Sequence, residues 1–538
     1  MSRATRYFGI ACLVIGVLAA GIEGGEPPAQ TARSAEKPTD FTREANELNS
    51  NKFAGPPKEF RQGHVTPRKL AESALATSEK GHRFQLPSKA PIPTPTVYRG
   101  KLYVSGGFHS KEFYCLDAAT GKLIWGRDLD DDGPTSAVCD DGVVVFNTES
   151  CTIFALNADT GAMLWSYWMG DPLTSTPAIA DGKVFTSYPC RGGNAATQNQ
   201  ANGPANNPFQ QAAPAAQGSD PTAKRPKSGA DKSAPPNASH VLACIELKTG
   251  KILWQRWLDS DVMTAPIATD SELYVTTFSG TVYRFKQADG AIVSAQRSRA
   301  TSAPVVVGKS VYLTKRADAP EEKVTKESVV AVDRDSAQPQ FNGSAKEAKY
   351  LDLRVQTTSN LKGKAAQLDA ANGFGGGVAP ATANAGPGSL NIGQDNVSTL
   401  QAFQGSRLLH MDGRNFNCMG DELICTSAET GKTTWSVKLK GDLEKEGGFL
   451  GSPPASAGGQ LFVATLKGEV LRIDPENGKV SETYAIGAPI RSQPAIDRGR
   501  IYVGTDDGQI VCVDTGNAAF TNWSTWGGNA AHTGVAKN

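Results

Sequence analysis

The sequence predicts an all-β fold, an eight-bladed β-propeller whose blades are four-stranded antiparallel sheets. Three observations predict it: a ten-residue phrase that recurs, a second phrase that precedes it, and a spacing near forty residues between copies. The first phrase reads LDAATGKLIW (Leu116 to Trp125), LNADTGAMLW (Leu156 to Trp165), IELKTGKILW (Ile245 to Trp254) and TSAETGKTTW (Thr426 to Trp435). The second is a hydroxyl residue, a Pro, an apolar strand, a Gly or Asp turn and another apolar strand. It begins at Thr94, Thr135, Ser175, Thr264, Ser302, Ser452 and Ser492. Counted at the Pro position, Pro95 to Ala137 is 42 residues, Ala137 to Pro177 is 40, Pro266 to Pro304 is 38 and Pro454 to Pro494 is 40.

From the N-terminus, Arg3 and Arg6 precede an apolar run, Tyr7 to Gly21, with Ala19 and Gly21 at −3 and −1 of a cut before Ile22. Residues 1–21 are therefore expected to be a signal peptide, too short for a comfortable membrane span. Residues 22–79 read as a polar tether with one short helix around RKLAESALA, and residues 80–538 as the propeller. Blades are expected near 94–129, 135–169, 174–258, 262–297, 301–355, 398–440, 450–486 and 489–526. The strand pieces are rich in Val, Ile, Tyr and Phe, which suit a pleated, buried surface. In the D-x-x-T-G-K turn, Asp117 or Asp474 bonds its own loop, and Gly121 or Gly478 supplies the positive φ of a bulged hairpin. Gly161, Gly250 and Gly431 hold the same place, and Trp125, Trp165, Trp254 and Trp435 follow four residues after their own Gly on the outer strand. A four-stranded blade cannot cover both its faces, so these indoles are expected at the seams between blades.

Blade five lacks the phrase, having VVAVDRDSAQ at the turn; blade six lacks the Pro; blade eight shortens its turn to VCVDTGNAAF. RFQLP (Arg83 to Pro87) looks like a fourth-strand piece and is expected to complete the last blade and close the ring. Two insertions, about 190–238 and 358–397, are poor in large apolar residues and are expected to be disordered.

Lys plus Arg number 55 and Asp plus Glu 54, a net charge of +1 that offers no field for a nucleic acid or an anionic membrane. Of nine cysteines, Cys115, Cys244, Cys425 and Cys512 fall on one repeated strand position, so they are expected on different blades and unpaired. Cys139 with Cys151 is the one nearby candidate disulfide. The run Asp128, Asp130, Asp131, Asp132 reads as a solvated acidic loop, lacking the interleaved ligands of a Ca²⁺ hand. Histidines at 64, 82, 109, 240, 410 and 532 show no metal-ligand spacing, and neither a nucleophile elbow nor a phosphate loop is present.

The phrases D-x-x-T-G-K-x-x-W and S-x-P-A-I resemble the repeats of pyrroloquinoline-quinone-like (PQQ-like) β-propellers over about 90–526. That superfamily holds quinoprotein alcohol dehydrogenases and the non-catalytic propeller of the outer-membrane β-barrel assembly machinery. The dehydrogenases stack PQQ between a Trp and two adjacent, disulfide-joined cysteines beside a Ca²⁺; this chain has no adjacent cysteines. The resemblance therefore implies a periplasmic or secreted scaffold with no cofactor that binds an envelope protein, peptide or glycan. The alternative is a PQQ- and Ca²⁺-dependent dehydrogenase of alcohols or sugars. The expected interaction face is that of the S-x-P loops, marked by Thr94, Ser175, Thr264, Ser302, Ser452 and Ser492.

Overall fold

In a computed structural model, residues 37–50, 64–107, 110–148, 152–169, 176–190, 234–235, 237–262, 264–317, 326–343, 345–347, 405–442 and 449–521 are described. The expected signal peptide, most of both insertions, Ser175, Cys151, His109 and residues 522–538 lie outside them. Eight antiparallel sheets follow one another, each with its first four strands hydrogen-bonded in order. Blade two is typical: Val138–Asp140, Val143–Asn147, Thr152–Asn157 and Met163–Trp168. First strands of successive blades lie against one another, so they form the inner ring and the fourth strands the rim.

The ring closes as the RFQLP fragment predicted. Blade eight takes its first three strands from Ala495–Asp497, Arg500–Gly504 and Gln509–Asp514. Its fourth is Gly81–Gln85, paired antiparallel with Gln509 opposite Gln85 and Val511 opposite Arg83. The side chains reinforce the clasp, Arg83 donating to Oε1 of Gln509 at 2.7 Å and to the carbonyl of Ile486 at 2.7 Å.

The core is not one mass but eight seam clusters, each drawn from two neighbouring blades. One such cluster joins Phe84 and Tyr502 of blade eight to Leu102 and Tyr114 of blade one. A sheet with two apolar faces has no other way to bury them.

The hairpin between third and fourth strands is bulged in blades one to seven, at Cys115/Leu116, Ala155/Leu156 and the equivalent pairs. Asp117 Oδ1 accepts the Thr120 amide at 2.8 Å and hydroxyl at 2.7 Å, and Gly121 has φ +72°. Blade five keeps this turn despite its altered sequence. Asp333 Oδ1 accepts the Ser336 amide and hydroxyl, both at 2.8 Å, and Ala337 takes the left-handed conformation at φ +54°.

Between residues 37 and 78 the chain is more than a tether. Thr39–Asp40 pairs with the rim strand of blade four, Val65–Pro67 with that of blade one, and Leu75–Ser78 with the clasp strand. The helix expected around RKLAESALA is a single 3₁₀ turn, Glu72–Ala74, because the following residues are drawn into strand pairing. The α-helix lies earlier, at Thr42–Leu48, and buries Ala45 and Leu48. Asn49 anchors its end, accepting the Trp257 amide at 2.8 Å and donating to the Trp257 carbonyl at 3.1 Å. No helix of the described residues is long and apolar enough to cross a membrane.

Candidate functional site

Each blade offers two ends. Turns between first and second and between third and fourth strands share one face; second-to-third turns and the connections to the next blade share the other. The recurring Gly and Trp belong to the first face, the S-x-P hydroxyls to the second.

On the first face the indoles cement the seams. Nε1 of Trp125 donates to the Ala158 carbonyl at 3.1 Å, Trp165 to Leu247 at 2.8 Å, Trp254 to Gln287 at 2.9 Å and Trp435 to Pro475 at 3.0 Å. Every acceptor lies in the turn of the following blade. The ring covers that blade's turn glycine: a Cβ on Gly161 would lie 2.6 Å from Trp125, on Gly250 2.8 Å from Trp165, and on Gly478 2.7 Å from Trp435. Gly431 is covered by Phe341 of blade five, and Gly121 by His82 and Phe84 of the clasp strand. Repeat residues named from sequence thus meet in pairs between neighbours, a Trp of one blade on the Gly of the next. Burying an aromatic side chain removes about 150–250 Å² from water, so each such lock stabilises its seam by a few kcal/mol.

On the second face the described hydroxyls are buried rather than projecting, and three of them brace. Thr94, Thr264, Ser302, Ser452 and Ser492 are all buried. Ser452 Oγ accepts the Ala464 amide at 3.1 Å, Ser492 Oγ donates to the Gly504 carbonyl at 3.3 Å, and Ser302 Oγ pairs with Thr314 Oγ1 at 2.6 Å. These bonds reach the neighbouring second strand just before the first strand begins. The exposed side chains on this face include Lys89, Asp130, Lys467 and Asp507.

The acidic run is also structural, which corrects the reading of a solvated loop. Asp131 accepts the hydroxyls of Thr148 (2.6 Å) and Thr152, which flank the second-to-third turn of blade two. Asp128 pairs with Arg68 at 2.5 Å, and Arg68 also meets Glu112 at 2.5 Å. Asp259 repeats the device after blade three, accepting from Ser279 at 2.9 Å and Thr281 at 3.0 Å of blade four. Each carboxylate clamps the next blade's hairpin.

The described cysteines are packed and buried. Cys115, Cys244, Cys425 and Cys512 sit on third strands, buried and unpaired. Burial pushes the thiols of Cys115, Cys244 and Cys512 up to about 12, far from the thiolate form that reacts. Cys139 is likewise a buried free thiol.

Two features escaped sequence reasoning. His240 and Asp261 face each other between blades three and four, Nε2 to Oδ1 3.3 Å, at 0% and 1% exposure. Burial drives His240 down to about 3 and Asp261 up to about 7, so both favour their neutral forms. Neither residue belongs to a repeat motif, and nothing in the one-dimensional pattern pairs them. The second feature was legible: blades four and seven carry Arg284 and Arg472 in the Cys/Ala position, six residues before the turn Gly.

A family model described as "Outer membrane protein assembly factor BamB" matches residues 71–295, 238–386 and 419–536. The chain belongs to the BamB family. Among curated proteins, the quinoprotein alcohol dehydrogenase PedH of Pseudomonas putida is 32% identical over 106 residues, 17% of this chain and 18% of that enzyme. The match therefore spans about a fifth of that relative's length. Solved structures similar to this BamB-family chain include BamB from Moraxella catarrhalis, at 14% identity and TM-score 0.46, covering 81% of this chain and 97% of that one. Quinohemoprotein alcohol dehydrogenase from Comamonas testosteroni gives 13% identity and TM-score 0.48, with 83% and 77% covered.

Proposed function

We propose that this BamB-family propeller is an exported, non-catalytic scaffold. It docks a protein, peptide or glycan partner of the cell envelope on the face carrying the S-x-P loops. The observation that carries the reading is the commitment of the repeat indoles and thiols to packing: each repeat Trp is spent on a seam, and the third-strand cysteines are buried and unreactive. The same face is made rigid by the hydroxyl braces and the Asp131 and Asp259 clamps, and a rigid loop face suits recognition at low entropic cost. The Arg3/Arg6 and apolar leader pattern supports export.

The second reading, PQQ- and Ca²⁺-dependent oxidation of an alcohol or sugar, is favoured by the local likeness to PedH. The residues fit it poorly: the chain has no adjacent cysteines, and no three His, Cys, Asp or Glu side chains converge among the described residues.

The test is a fourfold charge reversal, Lys89→Glu, Asp130→Lys, Lys467→Glu and Asp507→Lys, compared with reversal of Lys122 and Lys248 on the opposite face. Envelope fractions of the native host are probed by crosslinking to the mature protein. The scaffold reading expects the first set alone to reduce crosslinking, about tenfold, with no dye-linked oxidation when PQQ and Ca²⁺ are added. Turnover of an alcohol or sugar, or unchanged crosslinking in the first set, would overturn it.

A further inference from the structure

The locking pair of a seam is a small residue opposite a Trp across the third and fourth strands: Cys115 with Trp125, Ala155 with Trp165, Cys244 with Trp254, Cys425 with Trp435. In two blades the pair is replaced as a unit. Blade four sets Arg284 opposite Ser294, and blade seven sets Arg472 opposite Glu482. Without its indole each of these seams has lost a large flat ring.

The seam after blade seven is filled from elsewhere. Phe520, from the segment beyond the last strand, is buried there, edge-on to Phe462, with the Arg472 guanidinium 5.4 Å from its ring centre. Among the described residues no such ring fills the seam after blade four. A cavity of about 310 Å³ opens there instead, lined by Ser294 where the Trp would stand and by Ala337 where the covered Gly would stand. Arg284 and Asp335 form its polar wall, and Asp40 of the N-terminal strand and Thr42 at the start of the α-helix edge it. The volume is at the small end of ligand pockets, suited to one side chain rather than an extended ligand.

Its chemistry matches the missing group. In the locked seams the indole N–H donates to the carbonyl that follows the turn's first residue. Here that carbonyl belongs to Arg334 and accepts Nη1 of Arg284 at 2.9 Å. One donor does not saturate a carbonyl: that of Ala158 accepts both Tyr103 Oη at 2.9 Å and Trp125 Nε1 at 3.1 Å. Arg284 is held flat by Glu272 at 2.6 and 2.7 Å and by Asp335 at 2.9 Å, and such a guanidinium plane stacks on an aromatic face. The pairing has precedent within this molecule, where Arg127 lies 5.7 Å from the Trp125 ring and Arg256 5.8 Å from that of Trp254.

We propose that the gap between blades four and five is a binding site for a tryptophan side chain presented by a partner polypeptide. The partner's indole completes the seam in trans as the chain's own indoles complete four others. The turn that carries Asp335 and Ala337 lies on the opposite face from the S-x-P loops, and the proposal stands independently of the scaffold reading.

Full-length mature protein is titrated with N-acetyl-L-tryptophanamide, N-acetyl-L-phenylalaninamide and indole, followed by saturation-transfer NMR. Expected is saturable binding of the tryptophan derivative, at least as tight as indole and several-fold tighter than the phenylalanine derivative, whose side chain has no ring N–H for the Arg334 carbonyl. Ser294→Trp should lower affinity at least tenfold. Arg284→Ala with Ser294→Trp rebuilds the Ala155–Trp165 pairing and should do the same in a chain whose far-UV circular dichroism is unchanged. Absence of binding, equal binding of the phenyl compound, binding of indole alone, or binding that survives in the folded double variant would each overturn the proposal.

Discussion

Glycine at position 250 carries two burdens that can be separated. Its φ of +74° is a conformation L-residues adopt only at a cost, and its missing Cβ leaves room for Trp165. Gly182, in the first-to-second turn of the same blade, has a similar φ of +68° but nothing within 4 Å of its would-be Cβ. Gly182→Ala is therefore expected to cost about 1 kcal/mol from backbone strain alone. Gly250→Ala adds overpacking of about 1–3 kcal/mol, so its urea midpoint falls clearly further. Equal midpoints would show that the indole does not bear on the glycine.

The buried His240–Asp261 pair yields a pH dependence whose sign follows from the direction of each shift. Asp261, raised by burial to about 7, binds its proton more tightly folded than unfolded. Its contribution is favourable at low pH and is lost as pH rises from about 4 through 7. His240, depressed to about 3, acts the other way, costing stability as pH falls below about 6.5. Asp261→Asn removes only the first effect. The variant should match the parent near pH 4 and exceed it by up to a few kcal/mol at pH 8, since one pKa unit is about 1.4 kcal/mol. A stability difference that stays flat between pH 4 and 8 would contradict the buried, neutral-favouring assignment.

At the scale of the strand and turn, the sequence was most legible where the repeat is strict. The Asp-Thr-Gly turn, its bulge and the Trp on the rim strand all follow from ten residues read locally, and the repeated Cys position follows from alignment on the turn. Blade five shows why local reading faltered. Ser336 does what Thr does elsewhere, and Ala337 accepts a left-handed φ because the pairing around it enforces one. The S-x-P hydroxyls mislead in another way. A polar side chain beside a loop reads as surface, yet Ser452 and Ser492 bond backbone groups, and Ser302 the Thr314 hydroxyl, of a strand about twelve residues on in the chain, invisible to a windowed pattern. The same reason hid the N-terminal strands, which pair with residues as distant as Arg297. Polar composition measures exposure, and rim strands are half exposed.

For the molecule as a whole, eight seams in place of one core make stability a sum of neighbour terms, with the junction of first and last blades the single place where chain ends must meet. The clasp at Gly81–Gln85 solves this by pairing the start of the propeller with its end, and the cluster joining Phe84 and Tyr502 to Leu102 buries that junction like any other. Rigidity of the ring, and hence its fitness to present a surface, depends on that pairing. Hydrogen–deuterium exchange read peptide by peptide tests it most directly. The amides of residues 81–85 should exchange as slowly as those of 509–514 and the inner strands of the other blades. Complete exchange of 81–85 within seconds, while 509–514 stays protected, would show an open ring and contradict the account.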